Sequence, residues 1–367
     1  MDHTEELEDF ECSGLYLLAV DEPVSVEDAL KQSCWKEAMD AELKSIRENS
    51  TWSLSDLPKE HRAIGLKLVF KVKRDAAGKI VKHKARLVAK GYAQKQGVDY
   101  DEVFAPVARL ETVIIFLALA AYGDWQVHHM DVKSAFQNGD LQEQVYVHQP
   151  PSFADVTQPG KVLKLNKALY GLKQTPRPWN ARLDLELRNM GFQRSIVEHA
   201  VYKRGTCDSL LLVGVYVDDL IIYGPNSKMI AIFKDQMQKV FSMSDLGLFN
   251  YYLGMEVNQV GDQITLCQKA YAAKIVEMCN MTKCNLVDTP MEERLKLTTA
   301  KVGTELDVTR YRSIVGSLRY LVNTRPDIAY DVGIASRFLQ APAKEHWSVV
   351  KRILRYLAGT LDYGCKF

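Results

Sequence analysis

The sequence lacks the features that mark a secreted or membrane-embedded protein. Its first nine residues are acidic and contain neither the basic nor the apolar region of a signal peptide. The longest apolar runs, 113–122 and 210–217, are shorter than the roughly 20 residues that a membrane helix needs. We therefore expect an intracellular protein that is not secreted and has no membrane partner, and its place within the cell stays open.

The chain also lacks a disulfide framework and a strong net charge. Its 7 cysteines are odd in number and scattered, which is typical of reduced thiols. Cys279 and Cys284 have no second Cys or His pair at ligand spacing, so ordinary packing is preferred there to a zinc site. The net charge of +1 gives no global argument for a nucleic-acid partner. Any such argument must come from the local distribution of charge.

Local charge departs from this balance between residues 67 and 95, where ten basic residues face a single acid, Asp75. Apolar and basic residues alternate over 67–73 and again over 80–87, on either side of a turn at 75–79. This pattern predicts a β-hairpin with one basic face. Such a run of charged residues is most often a face exposed to solvent. Because these charges are nearly all positive, contact with the phosphates of a nucleic acid or nucleotide is the alternative.

The order of predicted elements is typical of an α+β protein. A capping box at Ser25 and Asp28 begins an amphipathic helix that ends near Asn49, and apolar runs predict a buried helix over 113–122 and a strand over 125–132. Helical patterns follow at 271–279, 314–321, 326–338 and 347–357. Because strands precede a helical end, we predict an α+β fold. The segment before the first helix has no steady periodicity and is interpreted as a poorly ordered leader.

Two adjacent acids, Asp218 and Asp219, stand between the apolar strands predicted at 210–217 and 220–223. Ionised carboxylates that are buried and unpaired cost several kcal/mol, and a hard divalent cation would offset both this cost and their repulsion. Asp131 ends another apolar strand and is the candidate third ligand. Neighbouring side chains on a straight strand point in opposite directions, so we expect a tight turn here and one principal ligand of the two. The alternative is that the pair only caps an exposed turn.

Short motifs surround these acids and recur along most of the chain. They are Trp35-Lys-Glu-Ala-Met39, Lys84-Ala-Arg-Leu-Val-Ala-Lys-Gly-Tyr92, Phe104-Ala-Pro-Val107, Met130-Asp-Val-Lys-Ser-Ala-Phe136, Ala168-Leu-Tyr-Gly-Leu-Lys-Gln174, Tyr216-Val-Asp-Asp219, Leu253-Gly-Met-Glu256, Thr324-Arg-Pro-Asp327 and Arg352-Ile-Leu-Arg-Tyr-Leu357. In this order they resemble the reverse transcriptase of copia-type LTR retrotransposons, of the plant kind, over nearly everything after residue 22. The resemblance implies a right-hand polymerase of fingers, palm and thumb with an antiparallel palm sheet. It also implies two-metal nucleotidyl transfer, in which deoxynucleoside triphosphates extend a primer on an RNA or DNA template.

The resemblance implies roles for particular residues. Asp131, Asp218 and Asp219 match the catalytic carboxylates, which would hold two magnesium ions, or manganese in their place. Phe136, which sequence alone assigns to the core, would lie under the sugar of the nucleotide and exclude a 2′-hydroxyl. Further nucleotide-binding candidates are Arg86, Lys90, Tyr170, Gln174 and Gly171, whose missing side chain would allow backbone to approach the nucleotide or template. Nucleic-acid-binding candidates are Lys173, Lys351, Arg352 and Arg355.

The resemblance also suggests a division into regions and an alternative function. The regions are 1–24, the leader; 25–105, the N-terminal helix and fingers; 106–290, the palm with part of the fingers; and 291–367, a thumb-like helical region. From the motifs present we expect integrase and RNase H regions to be absent from this chain. The family has an Arg near Val113–Ile115 that is missing here. A catalytically dead transposon remnant that at most binds nucleic acid is therefore the alternative, and a nucleotidyl cyclase is a more distant one because no purine-pocket signal is present.

Overall fold

The computed structural model describes residues 22–74, 79–150, 152–261, 263–295, 297–298 and 307–367. Most of the predicted leader and of the turn at 75–79 lies outside these residues. Helices α1 to α9 span, in order, Val26–Ala29, Ser33–Glu48, Leu110–Tyr122, Pro176–Asn189, Ser227–Val240, Lys269–Met278, Val308–Leu321, Ala329–Ser336 and Lys344–Gly359. Strands β1 to β15 span Trp52–Ser55, Leu66–Arg74, Ile80–Ala89, Gln126–Val132, Tyr146–Val147, Val162–Leu165, Gln193–Arg194, Val201–Arg204, Leu211–Tyr216, Asp219–Gly224, Met243–Leu248, Tyr251–Tyr252, Met255–Val260, Gln263–Cys267 and Gly364–Lys366.

The strands form antiparallel sheets among the helices, which confirms the predicted α+β class. The sheet orders are β1-β6-β5, β11-β4-β10-β9-β8-β7, β12-β13-β14-β15 and β2-β3. Adjacent strands such as β8, β9 and β10 run antiparallel. None of the helices in the described part of the chain is long and apolar enough to span a bilayer.

The chain divides into two compact units. One contains the described residues up to Ile114 together with Val127–Gly247, and the other contains Ile115–Gln126 and Leu248–Phe367. The predicted regional boundaries at 105 and 290 stay predictions.

The six-stranded sheet of the first unit carries the hairpin that the sequence predicted. Strands β9 and β10 are buried along almost their whole length, as their continuous apolar runs indicated. Their alternate residues Val213, Val215, Leu220 and Ile222 share a core with helices α4 and α5. Pro176 stands at the start of α4, where its missing N–H removes no helical hydrogen bond. One face of the sheet is therefore packed against two helices, which holds the β9–β10 hairpin in place.

The basic hairpin β2–β3 has the two faces that its alternation predicted. Opposite residues in the register share a face, so Phe70 and Ala85 lie on one side with Leu68 and Leu87. This apolar side packs on helix α2, whose buried residues Trp35, Met39, Leu43 and Ile46 recur at helical spacing. The basic residues lie on the other side: Lys67, Lys71, Lys73, Lys82, Lys84 and Arg86. We call this side the basic face.

In the second unit, helices α6 to α9 share one hydrophobic core. The buried guanidinium of Arg325 donates to both carboxylate oxygens of Asp327, at 2.9 and 2.7 Å, and to the carbonyl and hydroxyl oxygens of Thr360, both at 2.8 Å. These bonds tie the segment after α7 to the end of α9. The Thr324–Asp327 motif therefore has a structural role in this unit.

Gly171 lies where two stretches of backbone meet in the first unit. Its φ of +86° is in the left-handed region, and a Cβ there would overlap the carbonyl oxygen of Ala89 at the end of β3. The N–H of Ala89 donates to the carbonyl of Tyr170 at 2.7 Å, so the contact is hydrogen-bonded. The close approach that glycine permits here is to the chain's own backbone, which accounts for Gly171 without a nucleotide.

Gly171→Ala is expected to destabilise the first unit more than Gly97→Ala does. Both glycines have positive φ, +86° and +77°, so both substitutions carry the left-handed cost of about 1–2 kcal/mol. Only the Cβ at 171 meets backbone, which adds about 1–3 kcal/mol of overpacking, whereas no heavy atom of the described residues lies within 4 Å of a Cβ at 97. Thermal unfolding of the two variants measures the difference, and equal losses of Tm would contradict the close contact.

Candidate metal and nucleotide site

A strained two-residue turn joins β9 to β10. Tyr216 pairs with Asp219, so Val217 and Asp218 form the turn. Val217 has a φ of +53°, which is unusual for a β-branched residue and costs about 1–3 kcal/mol. The indole N–H of Trp179 donates to the Val217 carbonyl at 2.7 Å, and the backbone N–H of Val132 donates to the Asp218 carbonyl at 2.9 Å. Helix α4 and strand β4 therefore hold the strained turn from two directions.

Asp131 lies beside this turn. It precedes Val132, whose N–H binds the Asp218 carbonyl, and β4 neighbours β10 in the sheet. Met130 and Val132 point into the core, so Asp131 points to the opposite face. Asp219 shares that opposite face, because the next residue, Leu220, is also in the core. The structure thus brings together the three acids that the sequence singled out.

The pKa of Asp218 reflects its burial close to the two other acids. Burial raises the pKa of Asp218 to about 6, and the negative charges of Asp219 and Asp131 raise it too. The positive charge of Arg86 acts in the opposite direction but does not offset these effects. Without a cation, the site therefore disfavours the charged form of its own carboxylate.

Asp219 has a partner on the neighbouring strand. Its Oδ1 lies 2.6 Å from Nε2 of His129, a residue only 7% exposed. His129 and Asp131 are two residues apart on β4 and so share a face. Asp218 stands in the turn itself, whereas Asp219 occupies the first ladder position of β10. The two adjacent carboxylates therefore have different surroundings.

The basic face lies within electrostatic reach of the acids. Burial lowers the pKa of Lys84, with further lowering from Arg86 and Lys73, while the charges of Asp131 and Asp218 raise it. The Arg86 guanidinium lies 5.1 Å from the centre of the Tyr170 ring, and its buried Nε has no hydrogen-bond partner among the described residues. Positive charge from β3 thus faces negative charge from the hairpin tip.

Phe136 and Tyr170 form an aromatic pair beside the site. Their ring centres are 4.7 Å apart in an edge-to-face arrangement, and Phe136 is half-buried. The turn that carries Phe136 is anchored by Gln137, whose buried amide oxygen accepts hydrogen bonds from Ser45 and Asn49 near the end of α2. Burial raises the pKa of Tyr170 to about 12, so its hydroxyl stays protonated. The structure therefore places a rigid aromatic surface five residues after Asp131.

The nucleotide candidates Gln174 and Lys90 and the nucleic-acid candidate Lys173 all make contacts within the protein. Gln174 is fully buried, and its amide binds Gln94 and the Asp99 carbonyl, both at 2.9 Å. The Lys173 ammonium lies 5.4 Å from the Tyr100 ring centre. Lys90 is partly exposed, and its N–H donates to the Gly65 carbonyl at 2.8 Å. The hydrogen bonds of Gln174 account for it structurally, and nucleotide or nucleic-acid contact by these residues stays a prediction.

The bases of α9 belong to the second unit. Arg352 donates to Thr289 and pairs with Glu292 at 2.9 Å, and Arg355 donates to the Asn285 carbonyl at 2.7 Å. Lys351 is exposed. Two of the three bases therefore bind the chain's own 285–292 segment, and their contact with nucleic acid stays a prediction.

Sequence reasoning missed several residues that shape the site. Trp179 recurs with Leu183 and Leu187 at helical spacing, a pattern that indicates core packing and reveals nothing of the indole hydrogen bond. His129 lies in an apolar strand two positions before Asp131, and that shared face was the one signal that could have identified it. Lys84 was one of ten bases, with no feature to distinguish it.

The carboxylates fit an open magnesium site better than a closed cage. Across the described residues, no three His, Cys, Asp or Glu side chains are grouped closely enough to enclose an ion by themselves. Magnesium commonly binds one or two carboxylates and completes its coordination with waters and substrate phosphates. Asp131 and Asp218 supply oxygen ligands whose repulsion a cation would relieve. The donor set is therefore compatible with a metal that binds together with a phosphate-bearing substrate.

Comparisons with known proteins identify the family of this chain. Residues 49–293 match the family described as reverse transcriptase (RNA-dependent DNA polymerase). The retrovirus-related Pol polyprotein from transposon TNT 1-94 of Nicotiana tabacum is 41% identical over 360 residues, 94% of this chain and 27% of that protein. The corresponding polyprotein from transposon RE1 of Arabidopsis thaliana is 40% identical over 350 residues, 95% of this chain and 24% of that protein. This chain thus spans about a quarter of these relatives.

A solved foamy viral protease-reverse transcriptase in complex with double-stranded DNA is 11% identical, with a TM-score of 0.44 over 88% of this chain and 48% of that one.

Asp218→Asn is expected to stabilise the metal-free chain at pH 7.5 and to have little effect near pH 4. The folded pKa of about 6 lies above the ordinary 3.8, so the native state binds the proton more tightly and loses stability as pH rises through 6. Two pKa units correspond to about 3 kcal/mol, which a neutral Asn would recover. Urea unfolding in EDTA at both pH values measures this, with Asp208→Asn, in an exposed turn, as the control. A stability difference independent of pH would contradict the shift.

Proposed function

Because this chain belongs to the reverse transcriptase (RNA-dependent DNA polymerase) family, we propose that it extends a primer on an RNA or DNA template with deoxynucleoside triphosphates. Its similarity to the Pol polyproteins of plant copia-type transposons covers almost the whole chain. The observation that carries the proposal is the meeting of Asp131, Asp218 and Asp219 beside the basic face. In a right-hand polymerase the six-stranded sheet would be the palm and the β2–β3 hairpin part of the fingers.

The three acids would provide carboxylate oxygens for two magnesium or manganese ions. Such ions, when bound, favour ionisation of the primer 3′-hydroxyl and neutralise charge on the departing pyrophosphate. Asp218 must be ionised to act as a ligand, and its raised pKa means that ligation is coupled to loss of a proton at and below about pH 6. The strained turn and its two hydrogen bonds fix Asp218 beside Asp131, so little reorganisation is needed when substrate arrives.

The basic face would bind the triphosphate. Lys84 and Arg86 lie on the same side of β3, and both interact electrostatically with the acids. A triphosphate bound between this side of β3 and the acids would therefore contact both positive charges. The unpartnered Nε of Arg86 offers a donor already directed into the buried region. Phosphoryl transfer depends mostly on positioning and charge neutralisation, which this arrangement supplies.

Phe136 would select the sugar. Its ring is held edge-to-face by Tyr170, and its turn is held by Gln137, so the ring has little freedom to move aside. A nucleotide whose phosphates lie along β3 and whose α-phosphate faces Asp131 would place its ribose near this ring. A 2′-hydroxyl would then meet the ring, whereas a deoxyribose would fit.

Purified chain with magnesium, oligo(dT) annealed to poly(rA), and dTTP is expected to extend the primer. Asp218→Asn should reduce the rate by at least about 100-fold, because a principal charge-stabilising group is lost. Asp208→Asn, an exposed aspartate in the turn Cys207–Ser209, is the matched control and should keep the wild-type rate. Undiminished extension by Asp218→Asn would refute the assignment. Salt-dependent binding of nucleic acid with no extension under any metal would instead identify the catalytically dead remnant.

Phe136→Ala is expected to increase the use of ribonucleotides relative to deoxyribonucleotides. Removing the ring opens space for a 2′-hydroxyl. The kcat/KM for dTTP divided by the kcat/KM for UTP should therefore fall by about 10-fold or more, which corresponds to the loss of one steric contact of roughly 1.4 kcal/mol. Phe153→Ala, at a half-buried phenylalanine in the same unit, is the control and should leave the ratio unchanged. An unchanged ratio in Phe136→Ala would show that the ring does not face the sugar.

A further inference from the structure

We propose that His129 is a positioning residue that holds the carboxylate of Asp219, so that the two adjacent aspartates have unequal roles at the metal site. The inference rests on the proposed function, because it concerns how that site is organised. It adds a residue that none of the motifs around the three acids assigns to the chemistry.

The contact between the two side chains is short and protected. Nε2 of His129 lies 2.6 Å from Oδ1 of Asp219, and the two side chains are 8% and 26% exposed. The residues come from neighbouring strands of the six-stranded sheet, β4 and β10, whose backbones are fixed by the ladder and by the core beneath them. A hydrogen bond to an ionised acceptor in such a place is stronger than one at the surface. It therefore restricts the Asp219 side chain to one orientation.

This orientation limits what Asp219 can offer a cation. Oδ1 already lies against His129, so Oδ2 is the oxygen left more free to enter a coordination sphere. Asp218, one residue earlier, lies in the turn and has no such partner from β4 through its side chain among the described hydrogen bonds. The two adjacent carboxylates are therefore held differently, Asp219 by His129 and Asp218 by the turn that carries it.

The positioning needs only a hydrogen-bond donor at the place of Nε2. A neutral imidazole with its proton on Nε2 already donates to a carboxylate. The amide of glutamine can place a donor at a similar distance from the backbone, whereas leucine fills the volume without one. The pair His129→Gln and His129→Leu therefore separates the hydrogen bond from the packing.

The preceding residue provides a matched control. His128 lies on the same strand but alternates to the core side, where its Nδ1 is 3.0 Å from the ammonium of Lys234. Lys234 also pairs with Asp245 at 2.7 Å and keeps that partner when His128 is replaced. His128→Leu therefore disturbs β4 to a similar extent without touching Asp219.

The test measures Mn²⁺ binding and catalysis in the same variants. Free Mn²⁺ is followed by electron paramagnetic resonance as it is added to the chain bound to a dideoxy-terminated primer–template, and primer extension is measured over a range of Mg²⁺ concentrations. His129→Leu should bind Mn²⁺ about 10- to 100-fold more weakly and need correspondingly more Mg²⁺, as expected for loss of a group that orients a ligand. His129→Gln and His128→Leu should stay within about threefold of wild type on this scale.

Each other outcome overturns the proposal. Unchanged Mn²⁺ affinity in His129→Leu would show that the hydrogen bond does not organise the site, and equal weakness of His129→Gln would assign the effect to packing. Equal weakness of His128→Leu would assign it to damage of β4. Failure of the proposed function has a different signature, because wild-type chain would then not extend primers at any metal concentration.

Discussion

The burial of Asp218 beside two further carboxylates, Asp219 and Asp131, is the constraint on which the rest of the first unit depends. Burial and the charges of Asp219 and Asp131 raise the pKa of Asp218 to about 6, so the folded chain brings together groups that would be more stable apart. A protein accepts such a cost where a site needs negative charge that a ligand will later neutralise. The cost is offset by hydrophobic burial along β9, β10, α4 and α5, which form one continuous core beneath the acids.

Hydrogen bonds from several elements keep the acids in position. Trp179 and Val132 hold the turn whose Val217 has a left-handed backbone, and His129 holds Asp219. On the other side of the site, α2 supports both the basic face and the aromatic pair. Its Glu42 accepts the N–H of Leu87 at 3.1 Å, and its Ser45 binds Gln137 in the turn that carries Phe136. Helix α2 therefore helps to fix both the basic face and the ring of Phe136.

The sequence predicted the elements better than the contacts between their side chains. Alternation and helical spacing follow directly from which residues face the core, so the β2–β3 and β9–β10 hairpins were predicted close to their observed bounds. The single helix predicted from Ser25 to Asn49 is instead two helices, α1 and α2, with a break over 30–32. The acids could be identified from sequence because unpaired carboxylates among apolar strands are energetically unfavourable unless a ligand or partner compensates them. The hydrogen bonds of Trp179 and Gln174 could not be, since an indole N–H or an amide in the core shows its partner only when distant segments meet. Gly171 required the position of Ala89, 82 residues earlier in the chain.

Diffraction from crystals soaked in Mn²⁺ shows most directly whether Asp131 and the β9–β10 tip form one cation site. We expect an anomalous peak about 2.0–2.3 Å from carboxylate oxygens of both Asp131 and Asp218, the range for small divalent ions bound by oxygen. The peak should be absent from Asp218→Asn crystals soaked in the same way. Manganese bound elsewhere, or a peak at the tip that contacts Asp218 without Asp131, would contradict the account.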